Sequence, residues 1–444
     1  MTLPEAAESR SSPRPPRSAG EVRPATLLAV GVSDEDRAQL HRLAGPGGLQ
    51  LLDVGTYEEA SEPYRCRPLD YIERAVAFAG AQARVDGVIG VEDFPPSLLV
   101  PAIARRLGLP GLDFQAAVRS EHKGWSRMLQ KRVVPDSTPD FALIDLDHPA
   151  EFRALGVGRP FWLKPIKSYL SYLGFRIADD AQYRQALATA AERLPPFLAS
   201  FLEILGESGL PKKLARGRQW MLAEELMGGF QCTLDGYVYQ GEVTVLGVVD
   251  SIRFANKVSF KRFDYPSALP LKTQAAMAEV ARRLMPGLGF DHGQFNIEFF
   301  CDPKRPAPMI IEVNDRLSMQ FADLFEKVDG INTYRILMDL AQGRRPQHGC
   351  RQGKYRAAAS FVLRGFKDRL CLAVPSDADV ARVAAEIPDT LVMIRAVPGM
   401  RLSELPQDSY SFRHGLINIG GRDLADMQAK LARTLTMLQF RFAD

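Results

Sequence analysis

At 444 residues, 46% hydrophobic and net +3 at pH 7, the chain is long enough for two to four packed regions, and its weak charge gives no ground for a nucleic-acid or acidic-membrane partner. Its 5 cysteines are scattered and form no CxxC pair, which indicates neither a zinc site nor a disulfide framework and points to a reducing, cytoplasmic setting. No apolar run reaches the roughly 18 to 20 residues of a membrane span, so no membrane partner is expected.

Residues 1–24 are rich in Ser, Pro and Arg with little to bury and read as a disordered arm. The acids Glu5, Glu8 and Glu21 argue against a transit peptide. Apolar strands at 26–32, 49–55 and 86–93 alternate with helical stretches at 71–83 and 97–107, which predicts a small parallel α/β region over 25–118. Its glycines do not form GxGxxG, so dinucleotide binding is not expected.

From Arg119 a single helix is expected through Gln130, with Lys123 near its start. The apolar strand Phe161, Trp162, Leu163 then ends in Lys164 and Pro165, a partly desolvated setting that suits a cation kept for a phosphate. The loop at 166–175, with Ser168, Ser171 and Gly174, reads either as a phosphate cradle or as an ordinary hairpin turn. Residues 180–217 look helical, broken at Pro195-Pro196 and again near Gly209. The strand at 221–229 carries Glu224 and Glu225 before its glycines. Such a segment either binds a purine, with its backbone edge and an acid for the exocyclic amine, or is a plain edge strand.

Residues 232–250 alternate, and Asp235-Gly236 and Gln240-Gly241 read as the turns of an antiparallel meander. The stretch 251–270 turns basic and aromatic, with Arg253, Lys257 and Arg262, a composition shared by a mobile lid over an anionic substrate and by a solvated loop. A helix is expected at 274–284.

The runs at 295–300 and 309–316 each alternate apolar residues with a carboxylate and are joined by a Pro-rich connection. If they pair, Glu298, Glu312 and Asn314 converge as hard oxygen ligands suited to Mg²⁺, beside Arg316 and its planar fork. A helix at 321–340 follows. Strands at 357–363 and 390–395, helices at 377–386 and 423–438, and a strand end at 417–421 describe an α+β appendage over 349–444.

A small α/β region, a lysine helix, a strand ending Lys-Pro, Glu-Glu before glycines, and the Glu298, Glu312, Asn314, Arg316 set together resemble the ATP-grasp superfamily, in its carboxylate–amine ligase form, over about residues 25–345. The resemblance implies an α/β and α+β chain. An ATP-grasp domain would span 119–348, in lobes of about 119–217 and 218–348, between the N-terminal α/β domain and the C-terminal α+β subdomain. It implies that Lys123, Lys164 and Ser171 bind nucleotide phosphates, that Glu224 with the backbone of Glu225, Leu226 and Met227 holds the adenine, and that Gln231 stands at the ribose. Glu298, Glu312 and Asn314 would ligate Mg²⁺ (or Mn²⁺), with Arg316 and Lys164 acting on the transferred phosphoryl group.

The implied reaction uses ATP to activate a small carboxylic acid, plausible as an amino acid, for attack by an amine; a homodimer is left open. The substrate pocket is expected among Arg253, Lys257, Arg262, Gln294, Ser318 and Gln320. There are departures from the family pattern. The loop after Lys-Pro is not glycine-rich, and Gln231 stands where the family has Glu. Gln320 occupies the position of the glutamate base of biotin carboxylases, which ranks a carboxylase below a ligase. A non-catalytic ATP-binding module is the remaining alternative.

Overall fold

The computed structural model describes residues 23–444 apart from 46, 169–171, 207–208, 211–213, 215–219, 257, 406 and 408–410. The expected arm at 1–24 therefore lies almost wholly outside the described residues, as do Ser171 and Lys257.

The N-terminal region holds β1 (Ala25–Ala29), α1 (Asp34–Leu43), β2 (Leu49–Asp53), α2 (Tyr57–Ser61), α3 (Pro68–Gly80), β3 (Gly87–Ile89) and α4 (Pro96–Leu107). Its strands form a parallel sheet in the order β2-β1-β3. Leu27 and Leu28 of β1 are both fully buried, as a central parallel strand covered on two faces requires. A reciprocal Ser33–Asp36 capping box starts α1.

The helix expected from Arg119 is two helices, α5 (Phe114–Glu121) and α6 (Lys123–Val133). The break falls at His122, whose extended backbone leaves helical geometry and whose Nδ1 accepts the Trp125 N–H at 3.1 Å. Lys123 thereby becomes the first residue of α6.

Next come β4 (Phe141–Asp145), β5 (Phe161–Pro165), β6 (Phe175–Ile177), α7 (Asp180–Leu205) and β7 (Trp220–Glu225). The strands form an antiparallel sheet in the order β4-β7-β5-β6. β7 lies past the expected lobe boundary at 217/218, yet it sits inside the first lobe's sheet. The prolines at 195 and 196 do not break α7. Proline removes an N–H bond, but Leu194, Phe197, Leu198 and Phe201 are buried on one side and that packing carries the helix through.

The large sheet uses β8 (Phe230–Tyr239), β9 (Glu242–Arg253), β10 (Phe260–Tyr265), β11 (Gly293–Cys301) and β12 (Met309–Asn314). Between β10 and β11 lies α8 (Leu271–Gly287), and after β12 come α9 (Met319–Asp329) and α10 (Thr333–Ala341). Of the two expected turns only Gln240-Gly241 is one, with both residues at positive φ. Asp235-Gly236 lies inside β8 at a bulge, where a Cβ on Gly236 would stand 2.6 Å from Phe295 Cζ and 2.6 Å from the Thr244 carbonyl oxygen. The expected basic lid is likewise partly strand: its residues 260–265 form β10, which pairs with β9 on one side and with the C-terminal strand β13 on the other.

The C-terminal elements are β13 (Ala357–Gly365), β14 (Leu370–Ala373), α11 (Asp377–Glu386), β15 (Leu391–Ile394), β16 (Phe412–Gly421), α12 (Leu424–Met437) and β17 (Arg441–Ala443). Through β10–β13 pairing they extend the large sheet to the order β12-β11-β8-β9-β10-β13-β16-β15. The expected appendage thus continues the central sheet, while β14 and β17 pair separately.

Two faces of that sheet differ in kind. On one, Met277, Ala281 and Leu284 of α8 pack on Leu234, Ile297, Phe299 and Ile310. On the other, α9 sets Phe321, Leu324 and Phe325 over Val249, Phe263 and Ala358, and α10 reaches from Tyr237 back to the N-terminal sheet. No helix among the described residues is long and apolar enough to cross a membrane.

Candidate active site

The alternation of β11 and β12 fixes which residues share a face. Glu298 pairs directly with Glu312 and Asn296 with Asn314, so the four polar side chains project to one side, opposite the apolar face under α8. The Asn314 side-chain amide donates to Asn296 Oδ1 at 2.8 Å, and Gln231 on β8 donates to Glu298 Oε2 at 2.9 Å. Burial, with Glu312 close by, pushes the Glu298 carboxyl up to about 7. Burial also works against charge on Glu312, but Lys123 and Lys164 hold it below the usual carboxylate range.

Two carboxylates set in register, one of them reluctant to ionise, form a pair that a divalent cation would relieve. Among the described residues no group of three or more His, Cys, Asp and Glu is placed to hold a metal. Two carboxylates and an amide are nonetheless the kind of protein share Mg²⁺ takes when phosphate oxygens and water complete its shell.

Across from this pair stand the cations. Lys123 Nζ lies 3.2 Å from Glu312 Oε2 and donates to the Ser168 carbonyl oxygen at 3.1 Å. Lys164 Nζ lies 2.7 Å from Glu224 Oε2, and Arg127 Nε lies 2.5 Å from Glu224 Oε1. Burial lowers the Lys164 ammonium despite Glu224, and burial opposes but does not overcome the two cations that hold Glu224 below its usual range. Arg127, four residues after Lys123 on α6 and so one turn along, also donates to the Ile311 carbonyl oxygen of β12 at 2.6 Å. These groups line a cavity of about 10 Å³. That is far below the roughly 300 Å³ at which small-molecule pockets begin, so a nucleotide enters only if the two sheets part.

Arg316, just beyond β12, reaches the loop after β3, where Asp93 Oδ2 lies 3.2 Å from its Nη2. Asp93 Oδ1 is 2.8 Å from Lys167 Nζ, and Lys167 also pairs with Glu121. One N-terminal carboxylate therefore bridges Arg316 and the segment that follows the Lys164 strand.

The other expected residues fall in different places. The Glu224 side chain is committed to Arg127 and Lys164, and Glu225 pairs with Arg305. Leu226 and Met227 are half-buried in the loop between β7 and β8. Gln231 leans on Glu298. Arg253 stacks over Phe300, with its guanidinium carbon 4.9 Å from the ring centroid, and Arg262 is held 2.9 Å from Asp264. Gln320 donates to Ser360 Oγ at 2.9 Å, toward the C-terminal strands. Gln294 donates to the Thr333 carbonyl oxygen at 3.0 Å, and Ser318 is the buried N-cap residue of α9.

Arg127, Asp93, Lys167, Asn296 and Asp235 were not anticipated. The helical spacing of Lys123 and Arg127 was a usable signal for the first; Asp235 was hidden by reading Asp-Gly as a turn.

Two facing sheets with opposed cations and carboxylates between them define a nucleotide-grasping class of fold. Residues 157–326 match the family model described as an ATP-grasp domain, and the chain as a whole has the ATP-grasp fold. It is similar to the L-amino acid ligase from Bacillus licheniformis at 15% identity and TM-score 0.72, over 96% of this chain and 100% of that one. It is also similar to phosphoribosylglycinamide synthetase from Anaerococcus prevotii, at 14% identity and TM-score 0.64 over 94% and 100% of the two chains. A third similar structure is a β-γ-ATP complex of biotin carboxylase from Campylobacter jejuni, at 14% and 0.64 over 95% and 93%. No curated protein matches the sequence significantly.

Proposed function

We propose that the chain is an ATP- and Mg²⁺-dependent ligase that activates a small carboxylic acid, an amino acid in the simplest reading, for attack by an amine. The single observation carrying this is the in-register Glu298–Glu312 pair, with Asn314 two residues on, whose Glu312 faces Lys123 and Lys164 across one cavity. Bond by bond, the acid's carboxylate oxygen takes the γ-phosphoryl group of ATP and ADP leaves. The amine nitrogen then attacks the acyl carbon, phosphate leaves with the C–O bond pair, and the amine loses a proton to give the amide. Residues 119–348 are the catalytic domain in this reading. Four of the five free cysteines are buried, which suits a reducing cytoplasm.

Glu298, Glu312 and Asn314 hold the cation, which when bound neutralises charge on the phosphoryl group in transfer. Glu312 has to leave Lys123 to do so. That exchange frees the ammonium for a phosphate oxygen, so the charge balance of the closed site is kept as it opens. Lys164 offers a second cation, and Arg316 a planar fork for the acid's carboxylate and the incoming phosphoryl group.

The test is an ADP-release screen of acids crossed with amines, with the product identified by mass. Release that requires both an acid and an amine, and that is lost in Glu312→Ala, supports the ligase. Turnover needing bicarbonate and no amine would replace it with a carboxylase, and Mg-ATP binding without any ADP would leave a binding module.

A further inference from the structure

On the polar face of the large sheet, continuous with the carboxylate pair, lies a nook of buried polar side chains from β8, β11 and the starts of α9 and α10. Asp235 of β8 is 3% exposed and pairs in register with Asn296 of β11, which places its side chain on the face that carries Glu298. Gln294, two residues before Asn296, shares that face and is 5% exposed. The Ser318 hydroxyl hydrogen-bonds to Asp235, and Arg316 is close enough to favour its charge.

Three buried oxygens here have no hydrogen-bond partner among the described residues: Asp235 Oδ2, Gln294 Oε1 and Thr333 Oγ1. The last two belong to residues already joined by the Gln294 Nε2 to Thr333 carbonyl bond, so they are near neighbours. Leaving buried polar oxygens unmet is costly, and a cluster that includes a carboxylate and an amide oxygen calls for a group rich in N–H donors. An ammonium group has three such donors and the positive charge that a desolvated carboxylate lacks.

We propose that Asp235 binds the ammonium group of the acid substrate, with Gln294 as a second acceptor, while Arg316 takes the same molecule's carboxylate. This makes the activated acid an amino acid rather than a plain carboxylic acid, and it rests on the ligase reading above. The nook lies beside Arg316, so one small molecule spans the two charges in the order ammonium, short carbon link, carboxylate. Asp235 is then a specificity-determining residue and takes no part in phosphoryl transfer.

The experiment uses the full chain with Mg²⁺ and a non-hydrolysable ATP analogue. Calorimetry measures binding of L-alanine and L-leucine against propionate and 4-methylpentanoate, their counterparts without the amino group. In parallel, hydroxylamine with ATP traps any activated acid as a hydroxamate. Wild type is expected to prefer each amino acid to its counterpart by at least about 100-fold, because a site built for an N–H group rejects the analogue lacking it. Asp235→Asn, similar in shape but uncharged, is expected to raise the amino-acid KM by about 10- to 100-fold with kcat less affected and nucleotide affinity retained.

Equal use of amino acids and their counterparts by wild type overturns the proposal, whether or not the variant folds. So does an Asp235→Asn protein with unchanged amino-acid KM, the result expected if the nook holds an ordered water only. The two readings fail separately. Amino-acid binding lost in Asp235→Asn, with no acid ever activated, keeps the nook and sinks the ligase. Activation of plain acids with Asp235→Asn unaffected keeps the ligase and sinks the nook.

Discussion

Replacing Arg127 by Met tests the charge arrangement behind the cavity between the two sheets. Arg127 and Glu224 are each 2% exposed and 2.5 Å apart, and the guanidinium also satisfies the Ile311 carbonyl oxygen at 2.6 Å. Breaking a buried pair by removing one partner costs about 3–5 kcal/mol. Lys164, 2.7 Å from the other Glu224 oxygen, offsets part of that, while the stranded Ile311 carbonyl adds about 1 kcal/mol. The expectation is a loss of about 3 kcal/mol.

All 3 tryptophans, Trp125, Trp162 and Trp220, lie on α6, β5 and β7, the elements that carry Arg127, Lys164 and Glu224. Urea unfolding followed by tryptophan fluorescence therefore reports this lobe. Adding Glu224→Gln to Arg127→Met removes the carboxylate that has lost one of its two cations, so the double variant should be more stable than the sum of the two singles predicts, by at least about 1.5 kcal/mol. A loss below about 1 kcal/mol in Arg127→Met, or strict additivity, would refute the reasoning. There is a pH signature as well. Glu224's folded pKa lies below its unfolded value, so its contribution is complete above about pH 4.3 and is lost as pH falls through the lowered folded value. Glu224→Gln removes that part of the acid slope.

Other outcomes follow from the same geometry. Glu298, pushed up to about 7, keeps its proton where the unfolded chain has lost it, so its contribution to stability is full below about pH 4.3 and declines as pH rises through 7. Binding of Mg-ATP should accordingly strengthen from pH 6 to 8 and release protons, measurable by calorimetry in buffers of different ionisation enthalpy; Glu298→Gln should weaken binding and flatten the dependence. Glu312→Ala should lower ADP release at least about 1,000-fold, a loss of about 4 kcal/mol in transition-state stabilisation, without unfolding the protein, checked by circular dichroism alongside the coupled assay. Gly236→Ala should cost about 1–3 kcal/mol in urea unfolding, because the new methyl meets Phe295 and backbone at 2.6 Å.

Much of the site was legible because its residues lie close in sequence on strands of regular alternation. Glu312 and Asn314 are two apart and had to share a face, and a Pro-rich connection back to Glu298 made the pairing local. The parallel N-terminal sheet was readable for a similar reason, as apolar runs alternating with helices leave few topologies. The break at His122 was not, because a histidine cap competes with helix continuation by only about a kcal/mol, and nothing in the local pattern marks it. Nor was the fate of 251–270, since a basic aromatic stretch suits a lid until β9 and β13 are seen to pair with it on both edges.

By itself the sequence determined the strands, the helices and the opposed acids, through periodicities of two and of 3.6 that act over a few residues, and its motifs carried the resemblance to the ATP-grasp superfamily. The tertiary structure decided what each charge does at rest. Lys164 rests on Glu224, Lys123 on Glu312, and Arg316 on Asp93 from a strand loop more than two hundred positions away. It also turned Asp235 from a presumed turn into a buried, half-satisfied carboxyl. Such pairings depend on which distant strands meet, and on how little water is left between them, which no local pattern encodes.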